Sequence, residues 1–277
     1  MLISFKEILD LAEAKKFAIP AFNVYNMETV IGVIRAAEEL NAPIIIQCYS
    51  RLFTNGEGYY LSPVIVAAAK AAKVPVCFHL DHGASESEVM RAVRYGATGV
   101  MIDKSTLSLE ENIEGTKNVV DLCNAIGVQV EGELGHIGLA AQGDEQSVEY
   151  TEVEDAKKFV EQTGVAALAI MVGTAHGRYK KAPKLAIDRI REIYEATDAA
   201  LVLHGGSGVP DEEIKAAIDA GIRKINFGTD LCYSFLDKVF EVSRDKVGID
   251  LFMKEPIANV SEFAKSKIKL LGAENKA

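Results

Sequence analysis

The sequence predicts an α/β fold, a single-domain (β/α)8 TIM barrel over residues 1–277 with extra helices at the N- and C-terminal ends. Three observations carry that expectation. Short apolar runs alternate with amphipathic helical stretches from one end to the other, the signature of parallel βα units. The runs number eight, as a (β/α)8 barrel requires. No linker, low-complexity segment or composition shift divides the 277 residues, and one barrel ordinarily takes about 250.

The elements follow in order. MLISFKEILDLAEAKK mixes acids with apolar residues and reads as an amphipathic helix, not a signal peptide. The strand candidates are FAIPAFNV (17–24), PIIIQCY (43–49), VPVCFHL (74–80), GVMID (99–103), VQVEGEL (128–134), ALAIMVG (167–173), ALVLHGG (200–206) and KINFGTD (224–230). Stretches such as METVIGVIRAAEEL and DEEIKAAIDAGIRK supply the helices between them, and a last helix covers roughly 256–271. The main rival is an open doubly wound sheet, which ordinarily shows a glycine-rich fingerprint in its first turn. Here the first run ends in AFNVYN, without GxGxxG.

Composition narrows the function. Hydrophobic residues make up 49% of the chain, enough for a sizeable core, and no run approaches membrane-spanning length. The net charge of −10 and a pI of about 5.1 argue against nucleic-acid or anionic-membrane partners. An anionic ligand would therefore need a local positive field. Cys48, Cys77, Cys123 and Cys232 form no CxxC pair and read as reduced thiols. A cytoplasmic location is expected.

Barrel chemistry sits at the carboxyl ends of the strands. Those ends carry Asn23, then Ser50 and Arg51, Asp81 and His82, Asp103 and Lys104, Glu131, Glu133 and His136, His176, His204 and Ser207, and finally NFGTD. All five histidines lie in or just after a predicted strand. His82, His176 and His204 each border a glycine, which lets the backbone turn sharply beside a ligand. Three protein ligands plus an open position is the pattern of a catalytic zinc site. His79, earlier in its strand, reads as a core residue. His136 reads either as a supporting or substrate contact or as an ordinary loop residue. Strict strand alternation would send Asp81 and His82 to opposite faces, so both reach the mouth only if regular strand geometry ends at His82.

A second constellation is GGSG (205–208) with NFGT (226–229), after strands seven and eight. Loops there often bind phosphate. Their glycines expose backbone N–H groups, Ser207 and Thr229 add hydroxyls, and helix N-termini follow both. Lys180 either supplies charge to this site or is a surface lysine.

With these residues assembled, the sequence resembles the class II, metal-dependent ketose-bisphosphate aldolases. The matching segments are AFNVYNMET, HLDHG, MID, ELG, GTAHG, LHGGSG and KINFGTD, in family order over nearly the whole chain. The likeness is greatest to the fructose/tagatose-bisphosphate branch. The resemblance implies a zinc-dependent lyase that cleaves a phosphorylated ketose to dihydroxyacetone phosphate and an aldehyde through a metal-stabilised enediolate. It implies His82, His176 and His204 as zinc ligands and Asp81 as the acid/base at the C4 hydroxyl. Asp103 and Glu133 fall where the family has alternative metal-binding or supporting carboxylates. Asn23, Gly177, Lys180, Gly205, Gly206, Ser207, Asn226, Phe227, Gly228 and Thr229 would hold the substrate. Carbonyls of Gly177, Gly205 and Ser207 would hold a sodium or potassium ion. A homodimer or homotetramer is expected from the same resemblance.

Two departures stand out. The family's Gly-Gly-x-Glu-Asp segment, whose Glu moves the C3 proton, is replaced by GHIGLAAQGDEQ, with Asp144 or Glu145 as substitutes. Gly228 stands where fructose-bisphosphate enzymes often carry an acid, which is closer to the tagatose-type branch. The alternatives are a metal-dependent hydrolase and a non-catalytic sugar-phosphate-binding barrel. A Schiff-base aldolase would need a lysine inside the barrel, and Lys224, read as the start of strand eight, belongs on that reading to the opposite end.

Overall fold

A computed structural model describes residues 1–137, 150–177, 179 and 181–277. Eight parallel strands close into one barrel in sequence order. They are β1 (Ile19–Asn23), β2 (Ile44–Tyr49), β3 (Val76–Gly83), β4 (Gly99–Ile102), β5 (Gln129–Leu134), β6 (Ala167–Ile170), β7 (Ala200–Leu203) and β8 (Ile222–Phe227). β1 pairs with β8, with Ala21 opposite Asn226. The strands are buried on both faces, by helices outside and side chains inside, so they read as near-continuous apolar runs.

The helices around them are α1 (Phe5–Lys15), α2 (Met27–Glu39), α3 (Ser50–Asn55), α4 (Glu57–Ala71), α5 (Glu86–Arg94), α6 (Leu109–Asn124) and α7 (Val153–Thr163). They continue with α8 (Ile187–Ala196), α9 (Asp211–Ala220), α10 (Thr229–Glu241), α11 (Ile249–Phe252) and α12 (Lys254–Leu270). Local sequence starts several of them. Ser4 with Glu7 and Ser108 with Glu111 form reciprocal capping boxes at α1 and α6. Among the described residues no helix is long and apolar enough to cross a membrane.

The two extra helices close the floor and one flank. The Phe5 N–H bonds to the Thr98 carbonyl at 3.1 Å, and its ring lies 4.6 Å from that of His79. Gly99 permits that approach, since a Cβ there would come within 2.6 Å of Phe5. Fully burying one such aromatic ring contributes about 1.5–3 kcal/mol. α12 packs against α2 and α10. Gly32 makes the α2 contact close, for a Cβ there would lie 2.6 Å from Val260.

Two of the boundaries that differ from the sequence reading bear on the site. β7 ends at Leu203, because Gly205 takes a left-handed φ of 66°. β8 begins at Ile222, two residues before Lys224, because Gly221 (φ 128°) turns the chain directly out of α9. Lys224 is therefore fully buried inside the barrel rather than exposed at its far end. Barrel interiors are usually packed with branched apolar side chains. This one also holds Gln47, His79, Glu131 and Lys224, all without solvent exposure.

Candidate active site

The end of β3 resolves the alternation problem. His82 adopts φ 53°, and the β3–β4 register slips between Leu80 and Gly83. A left-handed residue that is not glycine is a sparsely populated conformation, of the kind that clusters at functional sites. It lets Asp81 and His82 line the same pocket. Gly83 is needed beside it, because a Cβ there would collide with the Met101 carbonyl oxygen.

Three histidines converge above the barrel axis. The His82 ring lies 4.9 Å from that of His176 and 4.7 Å from that of His204. Each has one nitrogen already held. His82 Nδ1 is 2.8 Å from Asp103 Oδ2, His176 Nδ1 is 3.2 Å from the Ile137 carbonyl, and His204 Nε2 is 2.8 Å from Glu131 Oε1. That leaves Nε2 of His82, Nε2 of His176 and Nδ1 of His204. These three side chains each offer a ligand atom, all within 4.8 Å of one another. His82 Nε2 is buried without a hydrogen-bond partner, and His204 Nδ1 and Glu133 Oε2, 3.2 Å apart, have no partner besides each other. Orphaned buried polar atoms are costly. A divalent cation would satisfy them, and the acceptors behind each histidine are the arrangement that fixes tautomer and ring orientation in metal sites. His82, Asp103 and Glu133 form a second overlapping donor set.

The electrostatics suit a cation. Burial disfavours the charged form of His204, but hydrogen bonds and charge from Glu131 and Glu133 outweigh it and push its pKa up to about 10. His176 behaves oppositely: burial, with the charges of His204 and His82, pulls it down to about 4. Asp103 lies well below the carboxylate range, because its bonds to His82 and Ser105 overcome burial.

Asp81 is 3% exposed and held by two amides. Asn23 Nδ2 donates to its Oδ2 at 2.7 Å, and Asn226 Nδ2 donates to its Oδ1 at 3.1 Å. Burial would raise its pKa, yet the charges of His82, His204 and Lys224 and the Asn23 bond carry it below the usual value. It is thus a carboxylate ready to accept a proton. It faces a cavity of about 450 Å³ whose other wall is Gly177, Gly205, Ser207, Gly228 and Thr229.

Comparison with known proteins supplies the family. The class II fructose-bisphosphate aldolase family model matches residues 3–276. The chain belongs to the class II fructose-bisphosphate aldolase family. A sulfofructosephosphate aldolase of Alkalicoccus urumqiensis is 38% identical over 282 residues, covering 99% of this chain and 98% of that protein. The protein YdjI of Escherichia coli K12 is 40% identical over 268 residues, covering 96% of both. The crystal structure of the YdjI aldolase superposes with a TM-score of 0.91 at 37% identity, over 100% of both chains. A fructose-bisphosphate aldolase of Campylobacter jejuni follows at TM-score 0.84 and 25% identity, covering 100% of this chain and 97% of that one. The protein is accordingly an enzyme, a lyase of the aldolase type.

Within this aldolase the structure brings together most, not all, of the residues singled out from sequence. Asn23, Gly177, Gly205, Ser207, Asn226, Gly228 and Thr229 line the cavity with Asp81, His82 and His176, while His204 is fully buried. Gly206 packs behind it, where a Cβ would meet Ile225 at 2.6 Å. The Phe227 ring turns outward, 6.1 Å from Phe22 and 6.3 Å from Phe263, so its side chain serves the β8–α12 contact. Lys180, Asp144 and Glu145 lie outside the described residues. His136 is exposed and 3.3 Å from Ser105 Oγ. His79 is buried and neutral, with burial and the Lys224 charge lowering its pKa to about 3. Of the two helix N-termini, α10 opens at the cavity with Thr229, whereas α9 opens with Asp211, Glu212 and Glu213, a poor start for an anion site.

Sequence reasoning missed several members. Tyr25, Tyr49, Cys232, Tyr233 and Leu236 also line the cavity. Arg51, read at the end of the second strand but given no role, sits there too, with its guanidinium 5.7 Å from the Tyr25 ring and 5.3 Å from the Tyr49 ring. Tyr179 Oη accepts the Ala175 N–H at 2.7 Å and lies 2.9 Å from the Gly205 carbonyl oxygen, tying the loops after β6 and β7 together. A tyrosine two residues past AHG carried no signal of that role.

Proposed function

We propose that the protein is a zinc-dependent aldolase that reversibly cleaves a phosphorylated ketose to dihydroxyacetone phosphate and an aldehyde. The ketose is tagatose- or fructose-bisphosphate-like, or a related longer-chain ketose phosphate. The observation that carries this reading is three histidines with one open nitrogen each, beside an aspartate oriented by two amide donors and held ionised by the charges of His82, His204 and Lys224.

Each group has a task. His82, His176 and His204 would hold the zinc ion, with Asp103 and Glu133 behind or beside them. When bound, a divalent cation supplies Lewis-acid stabilisation of negative charge on substrate oxygens. Asp81 takes the proton of the C4 hydroxyl as C4 becomes the aldehyde carbonyl and the C3–C4 electron pair passes to the ketose half. In condensation it returns that proton. The C3 proton is supplied separately, and its candidates Asp144 and Glu145 belong to the substituted sequence segment. Gly177, Gly205, Ser207, Gly228 and Thr229 hold the phosphate, with the first turn of α10 directed at it. Lys180 and a sodium or potassium ion beside the carbonyls of Gly177, Gly205 and Ser207 belong to the same reading, as do a cytoplasmic location and a homodimer or homotetramer.

Two relatives bear names that differ at the far end of the sugar, a sulfofructosephosphate and a fructose-bisphosphate. That supports a strict phosphate end and a variable aldehyde end. Gly228 points the same way: it lacks a side chain beside Asn23, and a Cβ there would lie 3.2 Å from Asn23 Oδ1. Fructose 1,6-bisphosphate is expected to be a poorer substrate than a tagatose-type or longer-chain ketose phosphate. The test is release of dihydroxyacetone phosphate from a panel of such ketoses, before and after chelation and zinc replacement. Chelation should abolish cleavage, and zinc should restore it. A borohydride-trapped lysine adduct would sink the metal-dependent reading. A tenfold preference for fructose 1,6-bisphosphate, about 1.4 kcal/mol in transition-state binding, would sink the substrate reading alone.

A further inference from the structure

Lys224 does not line the cavity, yet it meets both halves of the site. Its Nζ is 2.9 Å from Glu131 Oε2 and 2.7 Å from Asn226 Oδ1. An ammonium has three donors and no acceptor. It can therefore face only the oxygen of the Asn226 amide, which turns Nδ2 the other way, toward Asp81. A flipped amide would set N–H groups against the ammonium and an oxygen against the Asp81 carboxylate. In a buried setting both contacts are strongly unfavourable.

The other amide beside Asp81 has a weaker anchor. Gln47 Nε2 donates to Asn23 Oδ1 at 2.9 Å, leaving Asn23 Nδ2 for Asp81. Gln47 is itself an amide that can flip, and its buried Oε1 has no partner. Lys224 has no alternative polarity. We propose that Lys224 is a positioning residue which, through the Asn226 amide, holds Asp81 in the orientation that exchanges a proton with substrate. The inference rests on the reading of Asp81 as the acid/base of an aldolase.

Removing Lys224 alone would strand the Glu131 charge, so the test removes both charges together. Lys224→Met/Glu131→Gln keeps an acceptor for His204 Nε2 and takes away the anchor of Asn226. Three quantities are compared with wild type: bound zinc, ketose cleavage, and exchange of the carbon-bound hydrogen of dihydroxyacetone phosphate with deuterated water. That exchange does not require the C4 proton step. We expect zinc at wild-type stoichiometry, exchange and KM within about threefold, and kcat for cleavage down about 10²-fold, the low end for a displaced acid/base. Loss of zinc would place the role of Lys224 at Glu131 and His204 and overturn the proposal. Exchange and cleavage falling together, or cleavage surviving, would overturn it too. If the double variant does not fold, Asn226→Asp keeps a partner for Lys224 but turns an oxygen toward Asp81. The same split is expected there, and its absence overturns the proposal. Wild-type enzyme that exchanges no hydrogen would instead sink the proposed donor substrate, and this inference with it.

Discussion

Arg223 and Lys224 are neighbours on β8, both cationic and both buried, and they face opposite sides of the barrel wall. Arg223 points outward at the floor, where its Nε lies 2.6 Å from Glu13 Oε2 and its guanidinium bonds the carbonyls of Ile218 and Ile222. It joins α1 to β8 and has no route to the cavity. Lys224 points inward, where its partners Glu131 and Asn226 touch His204 and Asp81 in turn. A buried ion pair is weak evidence of stability in itself, since desolvation offsets much of the attraction. What separates these two pairs is the next bond along. The outer pair ends in backbone, Lys16 and Tyr194, and the inner one ends in His204 and Asp81, the proposed metal ligand and acid/base. Breaking the inner network should therefore cost turnover, and breaking the outer one should cost stability.

The largest effect is expected from Asp81→Ala. Asp81 accepts two amide hydrogen bonds and is not among the three histidine donors. The variant should keep zinc and its melting temperature while kcat falls about 10²–10⁴-fold, the usual contribution of a positioned acid/base. Metal content measured beside kcat decides the matter: loss of zinc would make Asp81 a support for the metal site. Retained turnover would place the acid/base elsewhere.

The same two residues show how much was legible in the sequence. Eight strands in order, the converging histidines and the loops after β7 and β8 could be read because each follows from periodicity or from a residue type at a strand end. Lys224 could not, because Arg223–Lys224 looks like the polar edge of a strand. Only the abrupt turn at Gly221 moves the start of β8 back and sends consecutive cations to opposite faces. Glu131 was read at a strand end without a role, since its partners come from β3, β7 and β8. His82 broke alternation for a reason that periodicity cannot express, a left-handed φ. Asp144, Glu145 and Lys180 lie outside the described residues, so their expected roles stay proposals.

Gly83→Ala sharpens the comparison from the middle, since Gly83 joins the β3 bulge to β4. An added methyl would be driven against the Met101 carbonyl oxygen, with Leu80 and Val89 also within 3.2 Å. Overpacking of this kind costs about 1–3 kcal/mol. Because His82 is the preceding residue, zinc affinity should fall along with the melting temperature. Unchanged values for both would mean that the bulge shifts freely and that the His82 conformation is not held by Gly83.

The smallest effect belongs to the outer pair. Glu13 is partly exposed, so burial opposes its charge only in part. Its bonds to Lys16, Tyr194 and Arg223 bring its pKa down to about 2 from 4.5. A carboxylate with a depressed folded-state pKa adds stability above its unfolded value, and that stability is lost as pH falls through the folded value. The contribution is therefore whole at pH 5–7 and fades between about pH 4.5 and 2. The Glu13 side chain is 43% exposed, so solvent screening holds the expected size to about 0.5–1 kcal/mol. Glu13→Gln should lower the melting temperature at pH 7 and leave kcat unchanged. The gap to wild type should close as both are taken toward pH 2. If it stays constant over that range, the stabilisation comes from hydrogen bonds that the amide also lacks, not from the charge. If kcat falls with it, the floor and the mouth of the barrel are coupled, and the separation drawn between Arg223 and Lys224 does not hold.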